Sequence, residues 1–414
     1  MKFRNGLKKI AIVGAFDRHN YGDLLFPIII TMAAKIRGFN GEVECFSTRV
    51  SDLTKFGAIQ TKSLRSLFAS KNGTDTLVIV GGGEVLSATW PVIVRYLCPQ
   101  RLGSLISRLT RLLGFQVSAN ILSKLMGVPT ALPFVYSNDD FPAGALVAYN
   151  AVGGSHLAND EDNAVRNAVA AKLKDVSYIS VRDDKTKRIL EKLNVKPVHL
   201  APDCAVLLSD LFEIHELSQR VSGELRGLCA DFKNGYICFQ SALTYVVGRE
   251  KAIAQMLNKL QAVTGLGVVI FVIGRAPGHC DHDAASLVKQ HLSEDRQIKL
   301  FASDTIFEVM YLIAMSKAYA GTSLHGVITA LSYAVPHIGL CPREVPKLAE
   351  FVNSWCDSDT SGLSEYSDLI QHVIRVTAAP RCGLTEVSEN LKLRSNANFD
   401  DMFLIADTKS CLPM

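Results

Sequence analysis

The sequence predicts an α/β protein of two domains, each built on a parallel sheet with helices covering both faces. Short continuous apolar runs alternate with helical patterns along the chain, which is typical of parallel strands buried on both faces. These runs form two series, separated by a mixed polar stretch at 211–234. With 414 residues and 48% hydrophobic residues, the chain is long and apolar enough for two cores.

The polar stretch places the domain boundary and therefore the expected site. We predict an N-terminal domain over residues 1–228 and a C-terminal domain over 229–414. From about residue 361 the chain turns helical and more charged, and this part either covers the second sheet or crosses back onto the first. The predicted strands are 10–16, 42–46, 76–80, 130–135, 146–151, 178–181, 198–200, 236–239, 268–273, 298–301, 318–321 and 337–340. Ligands of open α/β sheets bind at the carboxyl ends of strands, so we expect the site in the cleft between the domains.

Composition argues against several classes of protein. A net charge of +4 does not predict nucleic-acid binding. The apolar runs 10–16 and 24–34 are too short to span a bilayer, and the first fits a buried strand better than a signal peptide. The ten cysteines show neither a CxxC pair nor zinc-ligand spacing, which indicates reduced thiols. We therefore expect a cytoplasmic protein without a bound metal.

The turn after the first strand contains Asn20, Gly22 and Asp23 and precedes an apolar helix. These residues suit a capped tight turn. Alternatively, the backbone N–H groups of the turn and the helix N-terminus hold an anion or a sugar. The sequence leaves both interpretations open.

A run of three glycines followed by Glu84 comes directly after the strand 76–80. Gly82 and Gly83 allow left-handed backbone conformations and close approach of a ligand. No Gly-Lys-Ser/Thr sequence follows and the GxGxxG spacing is absent, so neither a Walker loop nor a dinucleotide fingerprint is predicted.

Arg182 and Asp203 follow the last two predicted strands of the N-terminal series, 178–181 and 198–200. An arginine at a strand end can hold a carboxylate or phosphate through two hydrogen bonds. The alternative is a surface arginine paired with Asp183 or Asp184. Asp203 is either a site carboxylate or a simple turn cap.

The segment Thr322-Ser323-Leu324-His325-Gly326 follows the strand 318–321 and opens a helix. The helix dipole disfavours a protonated imidazole at that place, whereas a bound anion favours it, so His325 is a candidate proton carrier. Thr322 and Ser323 offer hydroxyl groups to the same anion. A purely structural histidine at a helix start is the alternative.

The loop with His279, Cys280 and Asp281 has residue types that bind metals. Adjacent loop residues rarely converge on one ion, so we expect this loop to touch substrate at the cleft mouth instead. Arg275, just before it, is a second candidate for binding an anion.

The stretch 95–124 has a stripe of leucines and isoleucines at helical spacing with basic residues beside it. Such a helix either packs on the protein with a solvated face or lies on an anionic membrane surface. The second interpretation predicts peripheral contact with the inner face of the cytoplasmic membrane.

In their order and spacing, these segments resemble the polysaccharide pyruvyl transferase family over about residues 8 to 355. The matching elements are Asn20-x-Gly22-Asp23, the glycine turn 81–83, Ser180-Val181-Arg182-Asp183, Asp203, Leu324-His325-Gly326-x-x-Thr329-Ala330-Leu331 followed by Pro336, and Lys347. The resemblance implies two Rossmann-like domains facing each other across a cleft, as in GT-B glycosyltransferases. It also implies phosphoenolpyruvate as co-substrate, no further cofactor, and a sugar or lipid-linked oligosaccharide as acceptor.

On that resemblance, His325 is the catalytic acid/base candidate and Arg182 contacts the donor. Many relatives have an arginine two residues before this histidine, where this chain has Ser323. Either Arg275, Arg249 or Lys347 replaces that charge, or the donor is held differently. In the predicted mechanism, Asp23 or Asp203 orients the sugar hydroxyls. Two alternatives stay open: a nucleotide-sugar glycosyltransferase of the same fold, and a non-catalytic relative in polysaccharide assembly.

Overall fold

A computed structural model describes residues 6–410 of the chain apart from 71, 99, 142–143, 159–162, 276–280, 294–296, 304, 343–345 and 357–358. Within these residues the chain forms two all-parallel sheets. The N-terminal sheet consists of β1 (Lys9–Val13), β2 (Glu42–Ser47), β3 (Lys62–Ser63), β4 (Thr76–Gly81), β5 (Leu146–Val152), β6 (Tyr178–Val181) and β7 (His199–Leu200). The C-terminal sheet consists of β8 (Tyr236–Gln240), β9 (Gly267–Phe271), β10 (Ile298–Phe301), β11 (Ala318–Gly321), β12 (His337–Leu340) and β13 (Leu363–Ser364).

The strand order gives each sheet a topological switch point. The orders are β3-β2-β1-β4-β5-β6-β7 and β10-β9-β8-β11-β12-β13. In both sheets the chain starts in the middle and then builds outward to either side. This is the doubly wound arrangement of Rossmann-like domains, and it confirms the predicted fold class.

Helices cover both sheets, as parallel strands require. Those that follow N-terminal strands are α1 (Tyr21–Ile36), α2 (Leu64–Ala69), α3 (Trp90–Leu97), α4 (Gln100–Met126), α5 (Asn163–Leu173), α6 (Asp184–Lys192), α7 (Leu208–Leu211), α8 (Ile214–Arg220) and α9 (Gly223–Asp231). The later ones are α10 (Leu243–Val246), α11 (Glu250–Thr264), α12 (Asp281–Lys289), α13 (Ile306–Ala314), α14 (Leu324–Ser332), α15 (Pro346–Trp355), α16 (Leu369–Ala378) and α17 (Arg381–Ser410). None of the helices in the described part of the chain has the length and hydrophobicity that a bilayer-crossing segment requires.

The strand predicted at 130–135 is wrong. The segment is buried but forms turns, and the carbonyl oxygen of Thr130 accepts a hydrogen bond from Trp90 Nε1 at 2.9 Å. Pro133 lies in the middle of the segment and lacks the N–H that a central strand must donate. The outer strands β3 and β13, two residues each, were not predicted because neither Lys62–Ser63 nor Leu363–Ser364 lies in an apolar run.

The C-terminal helix α17 joins the two domains. Its Asn398 accepts a hydrogen bond from Tyr178 on β6 at 2.9 Å and donates one to Asn150 on β5 at 2.7 Å. Arg37 forms a 2.8 Å ion pair with Asp400 on the same helix. Of the two courses left open by the sequence, the chain thus takes the one that crosses back onto the N-terminal sheet. The predicted boundary after residue 228 lies between the last strand of the first sheet and the first strand of the second.

Buried side chains of α17 pack into the core, and substitution of one of them tests this packing. Phe403 is fully buried and Leu404, the next residue, is half-exposed. We expect Phe403→Ala to lower the free energy of unfolding by about 3–5 kcal/mol, because it leaves a cavity in the core. Leu404→Ala is the matched control and should change it by less than about 1 kcal/mol. Urea unfolding followed by circular dichroism measures both, and equal effects would show that α17 does not pack as described.

Candidate active site

The carboxyl edges of the two sheets face each other across a cavity of about 280 Å³. We call it the cleft. The N-terminal domain lines it with Asn20, Asp23, Gly83, Glu84 and Arg182. The C-terminal domain lines it with Gln240, Ala242, Thr244, Tyr245, Ile273, Gly274, Asp281, Thr322, Ser323, Leu324, His325 and Lys347. Most of these residues end a strand or follow one directly, the place where doubly wound sheets bind ligands.

His325 is held between the domains by direct packing of α14 against α1. A Cβ atom added to Gly22 would lie 1.9 Å from His325 Nδ1, so only glycine leaves room for the imidazole. The Phe26 ring meets the imidazole edge-on with ring centroids 5.3 Å apart. Next to this contact, the hydroxyl groups of Tyr21 and Thr329 are hydrogen-bonded at 2.9 Å. The small residue in α1 therefore sets the position of the histidine in α14.

The glycine turn after β4 also contributes to the packing around His325, through Phe26. Gly82 has φ = 62°, and a Cβ atom there would lie 2.2 Å from the Phe26 ring. Gly83 has φ = 71° and borders the cleft beside Asp23. Both positions need the left-handed backbone that glycine adopts without strain. The turn thus packs on Phe26, which in turn packs on His325.

A chain of charged groups connects His325 to the N-terminal domain. His325 Nε2 lies 3.6 Å from Asp203 Oδ2, which is within ion-pair range but longer than a normal hydrogen bond. Arg182 Nη1 donates to the same oxygen at 3.2 Å, and Arg182 Nη2 donates to Glu84 Oε1 at 2.7 Å. Asp203 is fully buried and Arg182 nearly so. Asp203 therefore lies behind the cleft wall, between the guanidinium and the imidazole.

Ion pairing determines the protonation state of the two carboxyl groups in this series, Asp203 and Glu84. Burial alone would raise the pKa of Asp203, but His325 and Arg182, with the N–H of Ala205, hold it below its usual value. Burial likewise opposes ionisation of Glu84, yet Arg182 keeps the pKa of Glu84 low. Both carboxyl groups are therefore ionised, and together they carry one negative charge more than the Arg182 guanidinium balances.

Lys347 supplies a further positive charge to the cleft. Burial and the nearby Arg182 guanidinium lower the pKa of Lys347, while Glu84 and Asp23 counteract that shift. Glu84 and Asp203 already occupy the guanidinium of Arg182. None of the salt bridges among the described residues involves Lys347, whereas Arg182 is paired twice, so the ammonium group at the cleft wall is available to a ligand.

The wall formed by the C-terminal domain is a hydrogen-bonded network around Gln240. Its Oε1 accepts from the N–H of Ser323 at 3.0 Å and from the Thr322 hydroxyl at 3.3 Å. Its Nε2 donates to Asp281 Oδ2 at 3.0 Å. The Ser323 hydroxyl caps α14 by accepting from the N–H of Gly326 at 3.4 Å. The two hydroxyl groups after β11 are thus already used in shaping the start of α14.

Asp281 is buried in this wall and differs from the other acidic residues of the site. Its Oδ2 atom also accepts from the N–H groups of Ile273 and Gly274 at 3.2 and 3.1 Å. Burial raises the pKa of Asp281 to about 6, and the three hydrogen bonds only partly counteract it. No cation pairs with it among the salt bridges of the described residues. Asp281 can therefore hold or release a proton near neutral pH.

The mouth of the cleft is formed where loops of the two domains touch. Asn20 and Gly274 form an antiparallel bridge, and the N–H of Arg275 donates to the carbonyl oxygen of His19 at 3.0 Å. The Asn20 side chain donates to Asp23 Oδ2 at 2.9 Å instead of capping α1. The loops after β1 and β9 therefore position each other and leave Asp23 at the cleft wall.

The family model described as polysaccharide pyruvyl transferase matches residues 20–340, most of the chain and nearly all of the cleft wall. The chain belongs to the polysaccharide pyruvyl transferase family. No curated protein sequence matches it.

Solved structures similar to this polysaccharide pyruvyl transferase family member confirm the GT-B-like fold. The UDP-GlcNAc 2-epimerase from Neisseria meningitidis is 12% identical, with a TM-score of 0.57 over 96% of this chain and 100% of that one. The Rickettsia bellii UDP-N-acetylglucosamine 2-epimerase is 12% identical, with a TM-score of 0.56 over 98% of each chain. The Methanocaldococcus jannaschii UDP-GlcNAc 2-epimerase is 12% identical, with a TM-score of 0.55 over 91% of this chain and 94% of that one. Such low identities establish the fold only.

The structure brings most of the residues predicted for a pyruvyl transferase site into one place. Those that line the cleft are Asn20, Asp23, Gly83, Arg182, Thr322, Ser323, His325 and Lys347. Gly22, Gly82 and Asp203 lie behind the wall and hold its side chains. Arg275 is not among the lining residues: its side chain is exposed and donates to the Ser303 carbonyl oxygen at 3.0 Å. His279 lies outside the described residues.

Three cations were predicted as substitutes for an arginine at position 323, where this chain has Ser323. Of these three, Lys347 is the one that lines the described cleft wall. Arg249 lines a separate surface hollow beside Tyr366. Of the three candidate cations, the one at the cleft is thus on α15, the helix after β12. The described residues contain no group of three or more His, Cys, Asp or Glu side chains suited to a metal ion.

Sequence reasoning missed Gln240 and assigned no role of their own to Glu84 and Asp281, although it noted the segments that contain them. Glu84 directly follows the glycine turn, and Gln240 is the last residue of β8, so the position at a strand end could have indicated both. Asp281 starts α12, which gives no sign of its burial. Its role depends on backbone N–H groups that the loop after β9 turns toward it.

Gly22 offers a test of the packing that holds His325. We expect Gly22→Ala to lower the melting temperature and the free energy of unfolding by about 1–3 kcal/mol, because the new methyl group overlaps the imidazole. Gly227→Ala, also within a helix but with open space at its Cβ position, is the control and should not destabilise the protein. Urea unfolding measures both variants. A Gly22→Ala protein as stable as the control would contradict the contact.

Asp281 gives a prediction about pH. The Asp281 carboxyl group binds its proton more tightly in the folded protein than in the unfolded chain. Its contribution to the free energy of unfolding is therefore lost as the pH rises from about 4 through about 6. Relative to the wild type, Asp281→Asn should gain about 2–3 kcal/mol of unfolding free energy between pH 4 and pH 7. Asp283→Asn, an exposed position two residues on, is the control. Urea unfolding at both pH values measures the variants. If the difference in unfolding free energy between Asp281→Asn and the wild type is the same at pH 4 and pH 7, the carboxyl group holds no proton near neutral pH.

Proposed function

We propose that this protein transfers the pyruvyl group of phosphoenolpyruvate to a sugar of an exopolysaccharide or surface-polysaccharide precursor, as a ketal, with release of phosphate. The observation that carries the proposal is the convergence of His325, Arg182 and Lys347 on one cleft, with Asp203 between the first two. A proton carrier beside positive charges suits an anionic donor whose chemistry begins with protonation.

The donor has two anionic groups to be bound, a phosphate and a carboxylate. Lys347 and the N-terminus of α14 supply positive potential on the side of the C-terminal domain. Arg182 supplies its remaining N–H groups from the opposite side, held rigidly by Glu84 and Asp203. In the proposal a rigid guanidinium orients the donor.

The reaction requires one proton to be delivered and two to be taken. Protonation of the donor at C3 makes C2 electrophilic, and one sugar hydroxyl attacks C2 and loses its proton. Cleavage of the C2–O bond then releases phosphate, and a second hydroxyl attacks the same carbon and loses its proton. One of the two released protons replaces the one delivered to C3, and the other leaves with phosphate. No redox partner is needed, and the proposal requires no further cofactor.

Each role is assigned to a group at the cleft. His325 carries the proton, and Asp203 orients the imidazole and stabilises its charged form. Asp203 is buried and committed to His325 and Arg182, so in the proposal Asp23, at the cleft wall, orients the sugar hydroxyls. The acceptor is a sugar or lipid-linked oligosaccharide, and we place the protein in the cytoplasm, in contact with the inner face of the membrane where such acceptors lie.

The test of the mechanism uses His325→Gln. We expect phosphate release from phosphoenolpyruvate in the presence of carrier-linked oligosaccharides to fall by about 10²- to 10⁴-fold, because the proton carrier is lost. Mass spectrometry should show acceptors that gain the mass of pyruvate less one water with the wild type only. His215→Gln, at an exposed position, is the control and should leave the rate unchanged. A folded His325→Gln protein with undiminished phosphate release removes His325 from the mechanism.

A thermal-shift panel tests the donor separately. Phosphoenolpyruvate should raise the melting temperature, since a ligand that binds only the folded state stabilises it. Stabilisation by UDP- or GDP-sugars with none by phosphoenolpyruvate would indicate a glycosyltransferase instead. The absence of phosphate release with every acceptor would indicate a non-catalytic relative.

A further inference from the structure

The long helix α4, together with α3, presents an exposed apolar surface away from the cleft. Nine of the eighteen large apolar side chains that the described residues expose lie on these two helices. Leu112 is 84% exposed, Leu125 76% and Leu105 53%. The others are Val92, Leu102, Leu109, Leu113, Val117 and Ile121. We call this set the leucine face.

The leucine face is ordered by helix periodicity and not scattered. Before Gly114, where the backbone of α4 has φ = 73°, the exposed leucines recur every three or four residues and share one stripe. After it, Val117, Ile121 and Leu125 recur every four residues. The sequence stripe that can pack or lie on a membrane is thus solvent-facing along most of α4. Exposed apolar side chains that cluster on neighbouring helices in this way mark an interaction site.

The leucine face is part of a firmly packed element. Trp90, at the start of α3, is fully buried and donates its indole N–H to the carbonyl oxygen of Thr130. The opposite side of α4 is buried at Ala119 and Leu122. The helix therefore packs on the N-terminal domain with one side and leaves the leucine face without a partner among the described residues.

The charged residues on α3 and α4 themselves have one sign. The sequence from 85 to 138 contains no Asp or Glu but has Arg95, Arg101, Arg108, Arg111 and Lys124. Arg95, Arg108 and Lys124 are exposed. A second copy of the same face would bring these cations together, which opposes self-association. An anionic surface with an apolar interior complements both features.

We propose that the leucine face docks onto a bilayer that contains anionic lipids. The leucines enter the boundary between headgroups and acyl chains, while the exposed side chains of Arg95, Arg108 and Lys124 bind the lipid phosphates. Five residues lie between Trp90 and Glu84 at the cleft wall, which limits their separation to about 22 Å even for a fully extended chain. Docking through α3 and α4 would thus bring the N-terminal side of the cleft near the membrane. This binding is independent of the proposed pyruvyl transfer, so either proposal can fail alone.

Flotation of the full chain with vesicles tests the proposal. We expect it to float with vesicles of phosphatidylcholine mixed with phosphatidylglycerol, and much less with phosphatidylcholine alone or at high salt. Leu105→Ser with Leu112→Ser should weaken binding by about tenfold or more, because two exposed leucines no longer insert. Leu393→Ser with Leu404→Ser, at exposed positions of α17, is the matched control and should bind like the wild type.

Charge and alternative partners are distinguished in the same assay. Arg108→Gln with Lys124→Gln should lower binding to anionic vesicles by about fivefold or more, while Lys8→Gln with Arg188→Gln, both exposed, should not. No flotation with anionic vesicles, or flotation unaffected by the leucine substitutions, overturns the proposal. The proposal is also overturned if sedimentation shows a concentration-dependent dimer that is lost in the Leu105→Ser, Leu112→Ser variant. A second copy of the chain would then cover the leucine face.

Discussion

The site depends on one buried carboxylate. Asp203 is fully inaccessible, and its charge is tolerated because Arg182 lies 3.2 Å away in the same domain and His325 lies 3.6 Å away in the other. Removing either partner would leave a buried charge without full compensation, which is strongly unfavourable. The pair of contacts thus ties one buried carboxylate to side chains of both domains. Glu84 completes the arrangement by holding the opposite side of the guanidinium.

The same domain contact is reinforced by packing that leaves little freedom. Gly22 lets α1 approach the imidazole, and Phe26 supports the ring from the side. The left-handed turn at Gly82 brings the end of β4 onto Phe26. Helix α17 then ties the two domains together by crossing back to β5 and β6. A cleft between domains can be mobile, but these contacts favour one defined geometry for the groups around His325.

The cleft and the leucine face differ in chemistry and are close together along the chain. The cleft is polar, with Lys347 and Arg182 facing carboxylates and a network around Gln240. The leucine face is apolar and basic, and it begins a short distance along the chain from Glu84. In the functions proposed here, a water-soluble donor and an acceptor near a membrane are brought to the same edge of the N-terminal sheet. The position of α3 directly after the glycine turn provides that link.

By itself, the sequence determined the two-sheet fold, because buried parallel strands leave apolar runs that local pattern reveals. It also placed Asn20, Asp23, Arg182 and His325 at strand ends, where such sheets bind ligands. It misplaced a strand at 130–135, where Pro133 breaks the ladder.

Tertiary structure alone decided which charges meet. It paired Arg182 with Glu84, 98 residues earlier, turned the Arg275 side chain toward Ser303 and buried Asp281. It also sent α17 back to the first sheet and left the leucines of α4 in solvent. These outcomes depend on contacts between segments distant in the chain, and local periodicity carries no information about which distant segment a side chain will face.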